Sequence, residues 1–327
     1  MTTKTMVESI RECLRQEMEA DDSVLVIGED VGALGGVFRA TDGLLEQFGP
    51  DRVVDMPLAE GVIVGSGIGL ALSGMRPVIE IQFLGFGHQA FHQIGQQAAR
   101  IHFRSQGRFR VPLVIRAPFG GGVRTPELHS DAFEAFYTHT PGLKVVAPST
   151  AYDAKGMLAE AIASDDPVLY LEPLKGYRLT QDEVPDERYR VPLGKARVVR
   201  EGADLTLIAW SAAVVTAERA AEELVDSGID VEVIDLRSLV PLDVETIVAS
   251  VAKTGRAAIL HEAPLTAGFG AEVVATIQQE CFYSLEAAVQ RITSPDTPYP
   301  LAGVEDLYIP DVDRVVAELS QLMAVAP

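Results

Sequence analysis

Short, nearly unbroken apolar runs separated by helix-length stretches constrain this chain more than any other feature. The first, Val24-Leu25-Val26-Ile27-Gly28, shows no polar alternation, so the strand it predicts is buried on both faces, as in a parallel sheet. RPVIEIQF at 76 to 83 and VPLVIRAP at 111 to 118 repeat the signature and bracket a helix-compatible stretch over 89–104. KVVAPS (144 to 149) and PVLYLEP (167 to 173) flank another helical stretch that starts near Ala151. This alternation predicts an α/β fold in which helices cover a largely parallel sheet. Ahead of it, Thr5 and Glu8 stand at capping-box spacing and Ile10, Cys13, Leu14 and Met18 share one helical face, so the chain opens with an amphipathic helix.

The pattern pauses and restarts. LTQDEVPDERYRVPL, from 179 to 193, is polar and charged, holds two prolines and has no sustained period. Beyond it come strand DLTLIAW (204 to 210), a helix over 212–226, strand DVEVIDL (230 to 236), a helix from Asp243 and strand AAILHEA (257 to 263). At 327 residues the chain is long for one domain and suits two. We therefore read a first α/β domain over 1–180, a linker over 181–194 and a smaller α/β domain over 195–327.

Lys plus Arg number 27 against 47 Asp plus Glu, a formal charge of −20, which argues against binding nucleic acid or an anionic membrane and suits a basic protein partner. Cys13 and Cys281 lack the paired spacing of a zinc site or a disulfide framework. The N-terminal stretch is charged rather than apolar and no run approaches a membrane span, so a cytoplasmic protein is expected.

Two segments invite chemistry. DMPLAEGVIVGSGIGLALSG (55 to 74) places Glu60 before Gly61, Gly65, Gly67 and Gly69. Glycines that dense in a helical pattern cost about 1 kcal/mol each relative to Ala, and a closely approaching backbone, at a subunit interface or a ligand, would justify them. PFGGGVRTPELHSD (118 to 131) follows a buried strand with three glycines and ends on His129-Ser130-Asp131, in the position where open α/β sheets place ligands. His129 suits acid or base work near neutral pH, and equally a local loop role. GSGIGLA does not complete a dinucleotide fingerprint, and P-loop, H-E-x-x-H and G-x-S-x-G motifs are absent. His88, His92 and His102 lie on the 89–104 stretch or beside it without supporting ligands, which favours packing or surface roles over a metal.

Taken in order, GEDVG (28 to 32), DMPLAEGVIVGSGIGLA (55 to 71), EIQF (80 to 83), GGG…HSD (120 to 131), HTPGLKVVAPSTAYDAKGML (139 to 158), DPVLYLEP (166 to 173) and IDLRSLVPLD (234 to 243) resemble the β subunits of the decarboxylating first component of 2-oxo acid dehydrogenase complexes. The resemblance covers nearly the whole chain. It implies a transketolase-like, thiamine-diphosphate-binding pyrimidine domain plus a smaller three-layer α/β transketolase C-terminal domain. It also implies an α₂β₂ heterotetramer whose α subunit holds the diphosphate and most of the Mg²⁺ coordination through a motif beginning G-D-G. This chain has no G-D-G.

By that resemblance Glu60 is the acid that bonds the aminopyrimidine ring nitrogen, Phe86 packs on the pyrimidine, Leu58 and Gln82 border it, and Glu29 lies at the same edge. His129 matches the histidine at the mouth of the substrate channel, where the lipoyl group arrives; Glu127-Leu128-His129-Ser130-Asp131 departs from the H-Y-H-S-Q of many members. Leu113, Ala161, Ile162, Ser164 and Asp166 match the positions that hold K⁺ in some members, with Ser164 in place of an acid. Further partners implied are the subunit-binding and lipoyl domains of the acyltransferase component. HEAPLTAGFGAEV (261 to 273), QQECF (278 to 282) and DTPYP (296 to 300) resemble the branched-chain enzymes, which makes a branched-chain 2-oxo acid the expected substrate and pyruvate the alternative. A non-catalytic scaffold subunit is the reading from another class.

Overall fold

The computed structural model describes residues 1–325. A short strand, Thr2–Thr5, leads into the amphipathic helix Met6–Ala20. Its capping box is made: Thr5 N–H donates to Glu8 Oε2 at 2.8 Å while Glu8 N–H donates to Thr5 Oγ1 at 3.4 Å. Ile10, Cys13, Leu14 and Met18 are buried, and the helix packs on Ala151–Ala163.

The main sheet has seven strands in the spatial order Ser238–Val240, Lys144–Val146, Val168–Pro173, Val114–Phe119, Arg76–Glu80, Val24–Gly28, Val53–Asp55. All neighbours are parallel except the outermost Ser238–Val240, which runs antiparallel to Lys144–Val146. That strand comes from beyond the stretch read as a linker, so the two halves share a sheet. A second sheet orders Gln290–Ser294, Ala257–Pro264, Leu205–Ala209, Val231–Asp235 and an antiparallel Arg197–Arg200. Parallel strands carry their C-terminal ends to one edge, which is where loops after open α/β sheets collect ligands.

Two local expectations change. The stretch 89–104 is not one α-helix: a 3₁₀ turn Leu84–Ala90 is followed by a π-helical His92–Ala98 and a short α-helix Ala99–Arg104. A Cβ on Gly85 would strike the carbonyl oxygen of Leu128, and one on Gly87 would lie 2.6 Å from the Tyr137 hydroxyl. Contacts from distant segments override the local period here. The polar stretch after 180 is not free either. Gln181–Val184 pairs antiparallel with Thr2–Thr5, and Lys155 Nζ, buried, donates to the carbonyls of Pro185 at 2.5 Å and Glu187 at 3.0 Å. Among the described residues no helix is long and apolar enough to cross a membrane.

The centre of the main sheet holds a buried ion triad. Arg116 Nη1 donates to Glu80 Oε2 at 2.8 Å, and its Nε and Nη2 donate to the two oxygens of Glu172 at 2.7 and 3.0 Å. Each residue sits on a different strand, with Arg116 directly opposite Glu80. Arg116→Ala leaves two buried carboxylates without their counter-charge and should lower the unfolding free energy by about 3–5 kcal/mol, read by urea denaturation. A loss below about 1 kcal/mol would show that the carboxylates take up protons instead.

Candidate active site

Four adjacent loops meet at the C-terminal edge of the main sheet. The strand Val24–Gly28 delivers Glu29 and Asp30, Val53–Asp55 leads to Leu58 and Glu60, Arg76–Glu80 leads to Gln82, Phe83 and Phe86, and Val114–Phe119 leads to the triple glycine and His129. The registers Gly28↔Asp55 and Gly28↔Glu80 place the first three side by side.

Glu60 is the first residue of the helix Glu60–Leu72, only 4% exposed, and its Oε2 has no hydrogen-bond partner. An unpartnered buried carboxylate oxygen is expensive unless a ligand completes it. Gln82 Nε2 donates to Asp30 Oδ2 at 3.3 Å. Burial, then the charges of Asp30 and Glu60, push the Glu29 carboxyl above its usual range. Among the described residues no Lys or Arg pairs with Glu29, Asp30 or Glu60, so this edge is negative and fits a group that brings N–H donors.

The opposite wall is aromatic. Phe83, buried, meets Phe86 edge-on at 5.6 Å, and the His129 ring lies 4.5 Å from Phe83 and 5.0 Å from Phe86, both edge-to-face. The Nδ1 of His129 is buried and unpartnered. Its loop is closed on itself: His129 N–H donates to Pro126 O at 2.9 Å, and the Thr125 and Ser130 hydroxyls are 2.5 Å apart. Asp131 makes no hydrogen bond to His129; its carboxyl faces Gly85, and burial followed by the Glu127 charge raises it to about 6. The structure therefore brings Glu60, Glu29, Gln82, Phe86 and His129 to one edge. Leu58, at the same loop, is 68% exposed and faces outward.

Two of the clustered glycines are explained within the chain: a Cβ on Gly67 would strike Ile79, and one on Gly61 would lie 3.3 Å from the Gln89 carbonyl oxygen. Gly65 meets nothing closer than Gln93 Cγ at 3.8 Å, and Gly69 has nothing within 4 Å. With exposed Val62 and Leu58 they form an apolar face beside Glu60.

The five positions matched to potassium also come together, at the turn after Ala151–Ala163, where the chain's own cations meet three of them. Arg76 Nη1 donates to the carbonyls of Ile162 at 3.0 Å and Ser164 at 3.1 Å, while Lys144 donates to Ser164 Oγ at 3.0 Å and pairs with Asp166 at 3.0 Å. Leu113 and Ala161 carbonyls accept from Val168 and Ser164 amides. Two cations of the chain already meet these oxygens, so the set does not fit a further one. Among the described residues no cluster of His, Cys, Asp or Glu is arranged to hold a metal. His88 is exposed and packs on Phe133 and Phe136, a packing role.

Sequence reading missed Phe83, Glu134, Glu262, Tyr299 and Glu305. Phe83 was legible as the end of EIQF. The others gather around the glycine loop, outside the Glu60 edge: Glu134 is buried beneath it with Oε2 unpartnered, and Glu262 and Glu305 bond it from the second domain. HEAPLTAGFGAEV and DTPYP contain Glu262 and Tyr299.

Comparison with known proteins gives the family. Residues 2–179 match the transketolase pyrimidine binding domain and residues 194–315 the transketolase C-terminal domain. The chain is 50% identical over 318 residues to the "Pyruvate dehydrogenase E1 component subunit beta" of Staphylococcus epidermidis, covering 97% of this chain and 98% of that one. It is 51% identical over 311 residues to the protein of the same name from Bacillus subtilis, covering 95% and 96%. Among solved structures, a split-gene transketolase described as an inactive β4 tetramer superposes with a TM-score of 0.81 at 22% identity, covering 99% of each chain. A transketolase mutant from Pichia stipitis gives 0.72 at 13% identity, over 99% of this chain and 46% of that one. These last two speak to fold alone.

The buried acids under the loop carry a pH signature. Burial pushes the Glu134 carboxyl up to about 7, and Glu262, which shares its surroundings, is likewise raised to about 7 by burial, with the Glu134 charge adding to it. Such a group binds its proton more tightly folded than unfolded, so stability falls as pH rises from the ordinary 4.5 toward 7, and the full penalty stands above that. Glu134→Gln removes one penalty. Its melting temperature relative to wild type should therefore climb between pH 5 and pH 8; a difference that stays flat with pH would contradict the assignment.

Proposed function

This chain belongs to the β subunits of the E1 component of 2-oxo acid dehydrogenases, thiamine-diphosphate-dependent oxidoreductases built on transketolase domains, and on that premise we propose that with an α subunit it decarboxylates pyruvate and passes the acyl group to the lipoyl domain of the acyltransferase component. The relatives named above favour pyruvate over the branched-chain substrate that the motif at 261 to 273 suggested. The observation that carries the catalytic reading is Glu60, buried with one carboxylate oxygen left without a partner. A scaffold subunit would have no use for that cost.

Thiamine diphosphate, when bound, supplies the carbon nucleophile and the electron sink for decarboxylation. The residues here fit its pyrimidine end. Glu60 Oε2 is free to share a proton with the ring nitrogen, Phe86 and Phe83 offer an apolar wall, Leu58 and Gln82 border the cleft, and Glu29 adds a second carboxylate for the amino group. They do not fit the diphosphate, because Glu29, Asp30 and Glu60 would repel it and G-D-G is missing. Diphosphate and Mg²⁺ therefore fall to the α subunit. His129, with Nδ1 unpartnered at the cleft mouth, is placed to give a proton to a dithiolane sulfur as the lipoyl ring opens. The open face of Leu58, Val62, Gly65 and Gly69 is the surface on which we seat the α subunit, since close approach there explains the glycines that intrachain packing leaves unexplained.

The purified chain alone should neither decarboxylate 2-oxo acids nor bind thiamine diphosphate in a Mg²⁺-dependent way, whereas the pair with its α subunit should turn over pyruvate with a higher kcat/KM than 2-oxoisovalerate. Robust turnover by the β chain alone would refute the two-chain site, and the reverse preference would refute the substrate. Glu60→Gln should leave folding and assembly intact and slow decarboxylation about 10²–10⁴-fold, because an amide has no carboxyl proton to share. Wild-type exchange of the thiazolium proton in that variant would rule out the role.

A further inference from the structure

The second domain reaches the glycine loop through two carboxylates that the chemistry above does not use. Glu262, at the end of the strand Ala257–Pro264, accepts from the Gly121 N–H. Glu305, in the 3₁₀ turn Ala302–Leu307, is 1% exposed and accepts from Gly122 N–H at 2.5 Å and Arg124 N–H at 3.0 Å. The Tyr299 hydroxyl donates to Glu305 at 2.5 Å, and Arg124 closes the contact on Asp306 at 2.6 Å and Ala302 O at 3.1 Å.

The triple glycine exists for this contact. Gly120 and Gly122 have φ of +77° and +86°, a region that favours glycine. A Cβ on Gly120 would lie 2.7 Å from Glu262 Oε2, and one on Gly121 would collide with the Tyr299 ring. The backbone N–H groups of the loop form an anion-binding concavity, and the protein fills it with its own carboxylates from 141 and 183 residues away.

His129 depends on this loop for its place. No hydrogen bond reaches its Nδ1, and its ring touches Phe83 and Phe86 only edge-on. The loop is also closed at its base, where Gly120 N–H donates to Asp131 O at 3.4 Å. Hydrogen bonds thus tie the 120–131 segment to itself, and its outer side is held by Glu262 and Glu305.

We propose that Glu262 and Glu305 are positioning residues that latch the 120–124 backbone to the second domain and thereby set His129 for reaction with the lipoyl domain. This rests on the reading of His129 as the channel-mouth proton donor. The latch acts on the transfer step and leaves decarboxylation, which depends on Glu60, largely untouched.

The test uses the assembled α₂β₂ enzyme. Glu305→Ala should speed hydrogen exchange at the Gly121–Arg124 amides about 10–100-fold, the range expected for losing hydrogen bonds to a charged acceptor. The same variant should lower kcat/KM for reductive acylation of a lipoyl domain at least about tenfold, while decarboxylation with an artificial electron acceptor changes less than about twofold. Glu305→Gln, which keeps an acceptor oxygen, should recover part of both. Tyr299→Phe removes only the hydroxyl that holds Glu305, and it should give a weaker version of the same signature even where Glu305→Ala assembles poorly. Unchanged exchange at 121–124 in both Glu305→Ala and Tyr299→Phe would overturn the latch. Faster exchange with unaltered acylation, in an enzyme where His129→Ala does impair acylation, would overturn the positioning role and leave the reading of His129 standing. A silent His129→Ala would remove that reading itself, and with it the consequence proposed for the latch.

Discussion

The guanidinium of Arg116, fully buried between Glu80 and Glu172, is the interaction on which the rest of the architecture leans. Three neighbouring parallel strands must stay in register for its N–H groups to find both carboxylates, and removing any one member leaves a charge stranded in the core. Glu172 also receives the hydroxyl of Tyr177, and a Glu80 oxygen lies 3.2 Å from where a Cβ on Gly36 would be, so the triad reaches beyond the sheet to the loop after Val31. The strands it locks are those that deliver Gln82, Phe83 and the glycine loop. Chemistry at the edge thus stands on a platform held by charge rather than by apolar packing alone.

At that edge the balance of charge reverses. Below it, every carboxylate of the triad has a cation; above it, Glu29, Asp30 and Glu60 have none. An orphaned carboxylate oxygen with acidic neighbours makes this edge suited to N–H donors and unfavourable to further anions. The open glycine face lies beside Glu60.

The second domain is joined closely to the first. Ser238–Val240 extends the first domain's sheet, Arg237 Nη1 donates to Asp153 at 3.0 Å, and the Ser149 hydroxyl donates to Asp235 at 2.5 Å. Burial raises Asp235 to about 7, so this contact too gathers acids away from water. Docking the domains this firmly lets carboxylates of one hold a loop of the other.

Much of the fold was legible in the sequence. The apolar runs at 24–28, 114–119 and 205–209, the capping box at Thr5 and Glu8, and the helix start at Asp243 each follow from residues adjacent in the chain, and local periodicity is sufficient for them. Glu60 and His129 were legible as parts of long motifs. The broken helix over 84–104, the strand inside the polar stretch after 180 and the exchange of Ser238–Val240 were not, because each answers to a partner far along the chain. The same holds for the potassium positions: they come together, and Arg76 and Lys144, distant in sequence, meet three of them. The sequence by itself determined the elements whose periodicity is local and which side chains stand at their strand ends. Tertiary structure alone decided which carboxylates are paired, which is left open and which loop is held, because burial and counter-charge belong to the surroundings of a group and not to its neighbours along the chain.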